Sequence, residues 1–217
     1  MNIDQARFNM IEQQIRPWDV LDPEILDLLG RLRREDFVPE AHRALAFVDT
    51  EVPLPGGQSM LPPRLEARLL QELAIRKHEH ALEIGTGSGF MAALMAGLAR
   101  DVHTIERLPE LVELARSNLR QAGVTNVTVH AGDGSGGLLS EGPFEAIALS
   151  GSVAEVPRTL LDQLRVGGRL VAVVGEEPVM RALLYTRVSE NGFQRRELFD
   201  TVAPRLAGFP EPSRFQF

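Results

Sequence analysis

Beyond residue 80 the chain alternates short apolar runs with longer stretches in which apolar residues recur every three or four positions. That rhythm predicts strands separated by helices. His80-Ala81-Leu82-Glu83-Ile84 reads as a buried strand, Gly85 to Gly89 as a glycine loop and Met91 to Leu98 as a helix. Asp101 to Glu106 is a second strand, and Leu111, Val112, Leu114, Ala115 and Leu119 mark a helix that stops at Gly123. Asn126 to His130 and Phe144 to Leu149 supply two more strands, Pro157 to Leu164 a helix, and Arg169 to Gly175 a fifth strand. Strands spaced by helices in this way form βαβ units around a parallel sheet. Arg181 to Ser189 and Phe193 to Thr201, around Asn191-Gly192, predict a hairpin on one sheet edge.

The first seventy or so residues follow a different pattern of helices and loops. Asp22-Pro23-Glu24 before Ile25, Leu26, Leu28 and Leu29 is a helix start, with a capping carboxylate and proline at the first helical position. Val52 to Pro63 is rich in proline and glycine and predicts a long irregular segment, of the kind that in compact domains is functional or disordered. Pro62 and Pro63 open a further helix with Leu65, Leu69, Leu70 and Leu73 on one face. The expected organisation is one domain, 1–217, with a helical and loop cap over 1–78 and an α/β core over 79–217.

Composition narrows the chemistry. With no cysteine, a disulfide scaffold, a thiolate metal site and a cysteine nucleophile are excluded. A formal charge of -7 argues against chain-wide attraction to nucleic acid or anionic lipid. Lys77 is the only lysine and sits in a polar run, whereas Schiff-base lysines work desolvated. Arg31-Leu32-Arg33-Arg34 and Arg195-Arg196 read as solvated faces, and Trp18 as a packing residue between two helices. His42, His78, His80, His103 and His130 show no ligand spacing, so no metal is expected. The first residues lack the pattern of a signal peptide and no apolar run reaches membrane-span length, which predicts a soluble, cytoplasmic protein without a membrane partner.

The glycine loop, Glu83-Ile84-Gly85-Thr86-Gly87-Ser88-Gly89-Phe90, joins a strand to a helix. Glycines let the backbone approach a ligand closely, and the helix start offers unpaired N–H groups. A dinucleotide fingerprint would need glycine or alanine at position 90, and a phosphate loop would need a lysine; neither is present. Glu83 would repel a pyrophosphate and suits a cationic ligand. Glu106 ends the second strand, where a carboxylate can accept both hydroxyls of a ribose.

This E-x-G-x-G-x-G string resembles the first motif of S-adenosylmethionine (AdoMet)-dependent methyltransferases. Gly132-Asp133-Gly134, Pro143-Phe144-Glu145-Ala146-Ile147, Gln163-Leu164 and Gly167-Gly168-Arg169-Leu170 narrow the likeness to the protein-L-isoaspartate O-methyltransferase family. Arg34-Glu35-Asp36-Phe37-Val38-Pro39, Asp49, Pro53-Leu54-Pro55 and Gly57-Gln58 match that family's pattern in the same order. The resemblance implies a Rossmann-like class I methyltransferase with a doubly wound, mostly parallel seven-stranded sheet. It implies AdoMet as cofactor, contacted by Glu83, Gly85, Thr86, Gly87, Gly89, Glu106, Asp133 and Gly134. It further implies methyl transfer to the α-carboxylate of L-isoaspartyl residues in damaged proteins, with Asp49, Gln58, Ser59, Leu61 and Ser150 at the substrate.

Three stretches depart from the family pattern. Ser59-Met60-Leu61-Pro62-Pro63 stands where Thr-Ile-Ser-Gln-Pro is usual, so Leu61 replaces a serine beside the substrate carboxylate. Ser150-Gly151-Ser152 replaces Gly-Ala-Ala, and the tail from Gly208 to Arg214 is unlike the usual ending. Ser59 is the candidate to replace the missing hydroxyl. A small-molecule or RNA acceptor, and a non-catalytic AdoMet-binding protein, are the alternatives these departures leave open; the oligomeric state is not legible.

Overall fold

A computed structural model of the chain describes residues 2–211. α1 (Ile3–Met10) continues into a π-helical turn at Ile11–Ile15. α2 (Pro23–Arg31) begins at the expected cap, where Asp22 accepts from the Glu24 N–H at 2.8 Å. The proline-glycine segment that follows is partly ordered by pairing. β1 (Val52–Pro53) and β2 (Ser59–Met60) form a small antiparallel ladder around a 3-10 turn at Pro55–Gly57. α3 (Pro63–Leu73) then buries Leu65, Leu69, Leu70 and Leu73.

The main sheet contains β3 (His80–Ile84), β4 (Asp101–Glu106), β5 (Val127–Ala131), β6 (Phe144–Val153), β7 (Leu164–Glu176), β8 (Val179–Arg187) and β9 (Phe193–Asp200). Their spatial order is β5-β4-β3-β6-β7-β8-β9. The first five are parallel, and β8 and β9 return antiparallel as the predicted edge hairpin. β3 is buried at every position, which is why Ala81, Leu82 and Ile84 show no apolar-polar alternation, while His80 and Glu83 are buried with hydrogen-bond partners. α4 (Phe90–Leu98) and α5 (Pro109–Gln121) carry the chain between the first three of these strands. With α1 to α3 they share one apolar core against Ala81, Val102, Ala146 and Val171 of the sheet. The opposite face packs Leu82, Ile84, Ile105 and Ile147 with Leu160 and Leu161 of α6 (Arg158–Leu161).

Two expectations need correction. The helix predicted to run to Leu164 ends at Leu161, and β7 begins at Leu164 rather than Arg169. Gln163 explains the stop: its side chain donates to the Gly136 and Thr159 carbonyls at 2.8 Å and accepts from the Leu138 N–H at 2.8 Å. The second correction is Arg34, which is 1% exposed rather than on a solvated face. It pairs with buried Glu66, donates to the Leu61 carbonyl at 2.7 Å and lies 4.7 Å over the Phe90 ring. Arg195 and Arg196 are on the surface as expected. Trp18 packs edge-on against Phe199 and under Arg64. Lys77 is exposed beside Glu24, and no helix among the described residues is long and apolar enough to cross a membrane.

Candidate functional site

The strand order reverses direction between β3 and β6, and in open α/β sheets the crevice at the carboxyl ends of such strands is where ligands bind. A cavity of about 330 Å³ opens there, within the range of small-molecule sites. Of the residues expected at a cofactor, Gly85, Gly87, Glu106 and Gly134 line it, and of those expected at a substrate, Gln58, Ser59 and Ser150. Backbone geometry explains the glycines. Gly85, Gly87 and Gly89 all have positive φ. A Cβ on Gly134 would come within 2.5 Å of the Ile84 side chain.

Glu106 is almost fully buried at the end of β4. One of its oxygens accepts from the Gly87 N–H at 3.0 Å and the other from the Leu108 N–H at 2.9 Å. These bonds fix the carboxylate against the glycine loop and leave a lone pair on each oxygen for the cavity.

Glu83 is fully buried one strand away and does not line the large cavity. It borders a void of about 20 Å³ shared with Ser59, Leu61, Glu66, Thr86 and Ser150. Its oxygens accept from Ser150 at 2.6 Å and Thr104 at 2.7 Å, and Thr104 accepts from Thr86 at 2.6 Å. Burial pushes the Glu83 carboxyl up to about 8, against the pull of the Ser150 and Thr104 hydrogen bonds.

The remaining expected residues lie apart. Gly89 packs the start of α4 closely against Ala115 and Leu119 of α5. Asp133 is exposed outside the lining and accepts from the Ser135 N–H at 2.9 Å, which holds its carboxyl below the ordinary value. Asp49 pairs with Arg64 at 2.7 Å, and burial raises its carboxyl. Leu61 is buried and faces only the small void, whereas Ser59 borders both spaces. The Ser59 hydroxyl donates to Glu51 at 2.8 Å.

Sequence reasoning missed a strap. Residues after β9 cross the cavity, placing Leu206, Ala207 and Phe209 in its lining. Backbone bonds from Ser152 N–H to the Pro204 carbonyl (2.7 Å) and from Leu206 N–H to the Ser152 carbonyl (2.9 Å) tie it to β6. The strap gives a physical reason for one of the sequence departures. A Cβ on Gly151 would lie 2.8 Å from the Leu206 side chain and 2.9 Å from the Pro204 carbonyl oxygen, so glycine is needed where the strap crosses. Pro212, Ser213 and Arg214 of the divergent tail lie outside the described residues. Gly151→Ala is therefore expected to displace the strap and weaken ligand binding about tenfold, since overpacking costs about 1–3 kcal/mol. Calorimetric affinity within twofold of wild type would contradict this.

Sheet order, glycine loop, cavity position and the acid at the end of β4 define a Rossmann-like methyltransferase fold. The comparisons with known proteins narrow the class. A family model described as protein-L-isoaspartate(D-aspartate) O-methyltransferase matches residues 5–202, and the chain belongs to that family. A Koribacter versatilis protein named protein-L-isoaspartate O-methyltransferase is 39% identical over 206 residues, covering 95% of this chain and 91% of that one. A Methanoculleus marisnigri protein of the same name is 43% identical over 171 residues, 79% of this chain and 78% of that one. Two solved structures show the same fold. One, named protein-L-isoaspartate O-methyltransferase, matches with a TM-score of 0.81 at 23% identity over 93% of this chain, which spans 66% of that longer one. The other, a Plasmodium falciparum structure with S-adenosyl-L-homocysteine bound, matches with a TM-score of 0.80 at 20% identity, covering 94% of this chain and 97% of that one.

Proposed function

We propose that this protein transfers a methyl group from AdoMet to the α-carboxylate of L-isoaspartyl residues in damaged proteins, as a cytoplasmic repair enzyme folded as one unit with a cap over 1–78 and a core over 79–217. The observation that carries the reading is the cavity between the Gly85-to-Gly89 loop and Glu106, in a chain whose family membership covers residues 5–202. The residues present fit the cofactor. Glycines leave room for close backbone approach, Glu106 presents two free lone pairs suited to a ribose diol, and Ile84, Ile105, Leu108 and Leu111 give an apolar wall for a ring. Glu83 and its hydroxyl partners lie behind the glycine loop as a carboxyl that a bound cation would draw into its ionised form, and Gly134 with neighbouring Asp133 forms the far rim.

When bound, AdoMet supplies a methyl group on a positively charged sulfur. The protein's task is then to align the acceptor. An isoaspartyl α-carboxylate is already ionised at neutral pH, so no general base is needed, and holding it in line with the methyl supplies most of the catalysis. In this reading Ser59, which borders both spaces, provides the hydroxyl that the usual serine would supply at Leu61; Gln58 and Ser150 flank it, and Asp49 positions the loop through Arg64. The strap, with Phe209, covers the cofactor and excludes water.

Incubation with labelled AdoMet and paired isoaspartyl and aspartyl peptides tests the proposal: label should enter only the isoaspartyl peptide, as a base-labile ester. Equal incorporation, or none, would sink it. Leu61 favours a second reading, an acceptor other than an isoaspartyl protein, such as a small molecule or RNA. Label appearing in metabolites or RNA of a fractionated extract would select it. For Glu106→Ala, loss of two hydrogen bonds to a charged acceptor, each about 1.5–3 kcal/mol, predicts at least about a hundredfold weaker AdoMet binding by calorimetry. An affinity within threefold of wild type would remove Glu106 from the site.

A further inference from the structure

Parallel pairing in register sets His80 opposite Asp101, and the period of two along β4 puts Asp101 and His103 on the same face of the sheet. One strand further out, His130 of β5 stacks on the His103 ring with centroids 5.0 Å apart. These residues lie at the strand-entry end of β3 and β4. The cavity lies beyond Ile84, about 13 Å away at a rise of about 3.3 Å per residue. The connection from β5 to β6 contains no helix, so this face is only partly covered.

Ligand-capable atoms of His80, Asp101 and His103 all lie within 4.8 Å of one another. The side chains of His80 and His103 are 10% and 14% exposed and that of Asp101 31%, so solvent reaches the cluster chiefly at Asp101. Hydrogen-bond accounting shows what the cluster lacks. His80 Nε2 faces the Glu141 carbonyl oxygen at 3.0 Å, while His80 Nδ1 faces Asp101 Oδ2. Both neighbours are acceptors, and a neutral imidazole has one N–H to give. A second ring proton, donated from Nδ1 to Asp101 Oδ2, satisfies both acceptors, and a metal ion that displaced this proton would take Nδ1 and Oδ2 together as ligands. His103 is arranged in the same sense. Its Nδ1 meets His130 Nε2 at 2.9 Å, which leaves Nε2 directed toward Asp101 Oδ2, 3.9 Å away. A ligating histidine whose second nitrogen is held by a neighbour is the usual arrangement around a bound metal. Asp101 Oδ1 accepts from Arg100 at 2.5 Å, so the carboxylate is steadied from outside while Oδ2 faces inward.

We propose that His80, Asp101 and His103 form a binding site for one divalent first-row transition ion, with His130 holding His103 in its ligating tautomer. Two imidazoles and one carboxylate suit Zn²⁺ or Co²⁺ with water completing the shell, and not Mg²⁺ or Ca²⁺, which take oxygen ligands. Small shifts of Asp101 and the two rings would bring each ligand atom to the roughly 2.0–2.2 Å such ions need. The ion would pin the entry ends of β3 and β4, away from the methyl-transfer cavity.

The test uses full-length protein without an affinity tag, stripped by chelator and desalted. Titration with Zn²⁺ should show one site, and Co²⁺ should give visible ligand-field absorption displaced by Zn²⁺. Asp101→Ala and His103→Ala should abolish uptake, His130→Ala should weaken it about ten- to a hundredfold, and His42→Ala and His78→Ala should leave it unchanged. Absence of stoichiometric Zn²⁺ uptake by wild type, or equal uptake by the ligand variants, would overturn the proposal. Should those variants fail to fold, wild type alone decides: bound Zn²⁺ must shift the ring-nitrogen NMR signals of His80 and His103 and leave those of His42 and His78 in place. Shifts confined to the latter pair would count against the site.

Discussion

Replacing Arg34 by methionine is expected to destabilise the fold by about 3–5 kcal/mol, the cost of leaving a buried charge without its partner. Arg34 joins two parts of the cap, Glu66 on α3 and the Leu61 carbonyl at the end of the proline-glycine segment, to the face of Phe90 on α4 in the core. Burial pushes the Glu66 carboxyl up to about 7 despite the arginine beside it, so removing the arginine forces that carboxyl to take up a proton and leaves it and the Leu61 carbonyl without their buried donor. The double variant Arg34→Met/Glu66→Leu should recover most of the loss, because an apolar pair of similar volume costs little relative to a buried ion pair. Urea unfolding midpoints measure both. A single variant within 1 kcal/mol of wild type would show that the pair contributes little.

Stability should fall as pH rises through the neutral range, and Glu83→Gln should remove much of that dependence. The Glu83 carboxyl is raised from 4.5 to about 8 in the folded protein. Below about pH 4.5 it is protonated in both states and contributes no difference. Between about 4.5 and 8 the unfolded chain ionises while the folded one holds its proton, so unfolding is increasingly favoured. At 1.36 kcal/mol per pH unit the full span is on the order of 5 kcal/mol. Glutamine keeps the shape and an acceptor for Thr104 or Ser150 without the ionisation. Unfolding free energies at pH 5 and pH 8 should therefore diverge in favour of the variant at the higher pH; parallel wild-type and variant profiles would refute the assignment. A ligand cation near Glu83 should reverse the trend by favouring the ionised carboxylate, so AdoMet would stabilise wild type more at pH 8 than at pH 6.

The strands were legible because burial on both faces of a parallel sheet writes itself as an apolar run, and His80–Ile84 matches that reading residue for residue. Gly85, Gly87 and Glu106, which line the cavity, were legible because a glycine loop after a strand and the acid one strand over stand at a characteristic spacing. Features made by distant pairing were not. Arg34 looks solvated beside Arg31 and Arg33 until the fold brings Glu66 to it, 32 residues on. The three sheet histidines lack any local spacing because register between strands, not sequence interval, gathers them. Nothing in the composition of Leu206-Ala207-Gly208-Phe209 says which loop it will cross, although Gly151 is the imprint that crossing leaves on β6.

That crossing also divides the molecule by the rate at which its amides exchange with solvent. The amides of β3 and of β6 as far as Leu149 should be released only by global unfolding, whereas the strap hangs on the end of β6 by two backbone bonds whose donors are Ser152 and Leu206. The Leu206 amide should therefore exchange through a local opening, orders of magnitude faster than that of Leu82. A ligand held beneath the strap should slow Leu206 and leave Leu82 untouched, which makes one backbone proton a reporter of occupancy that requires no label and no turnover.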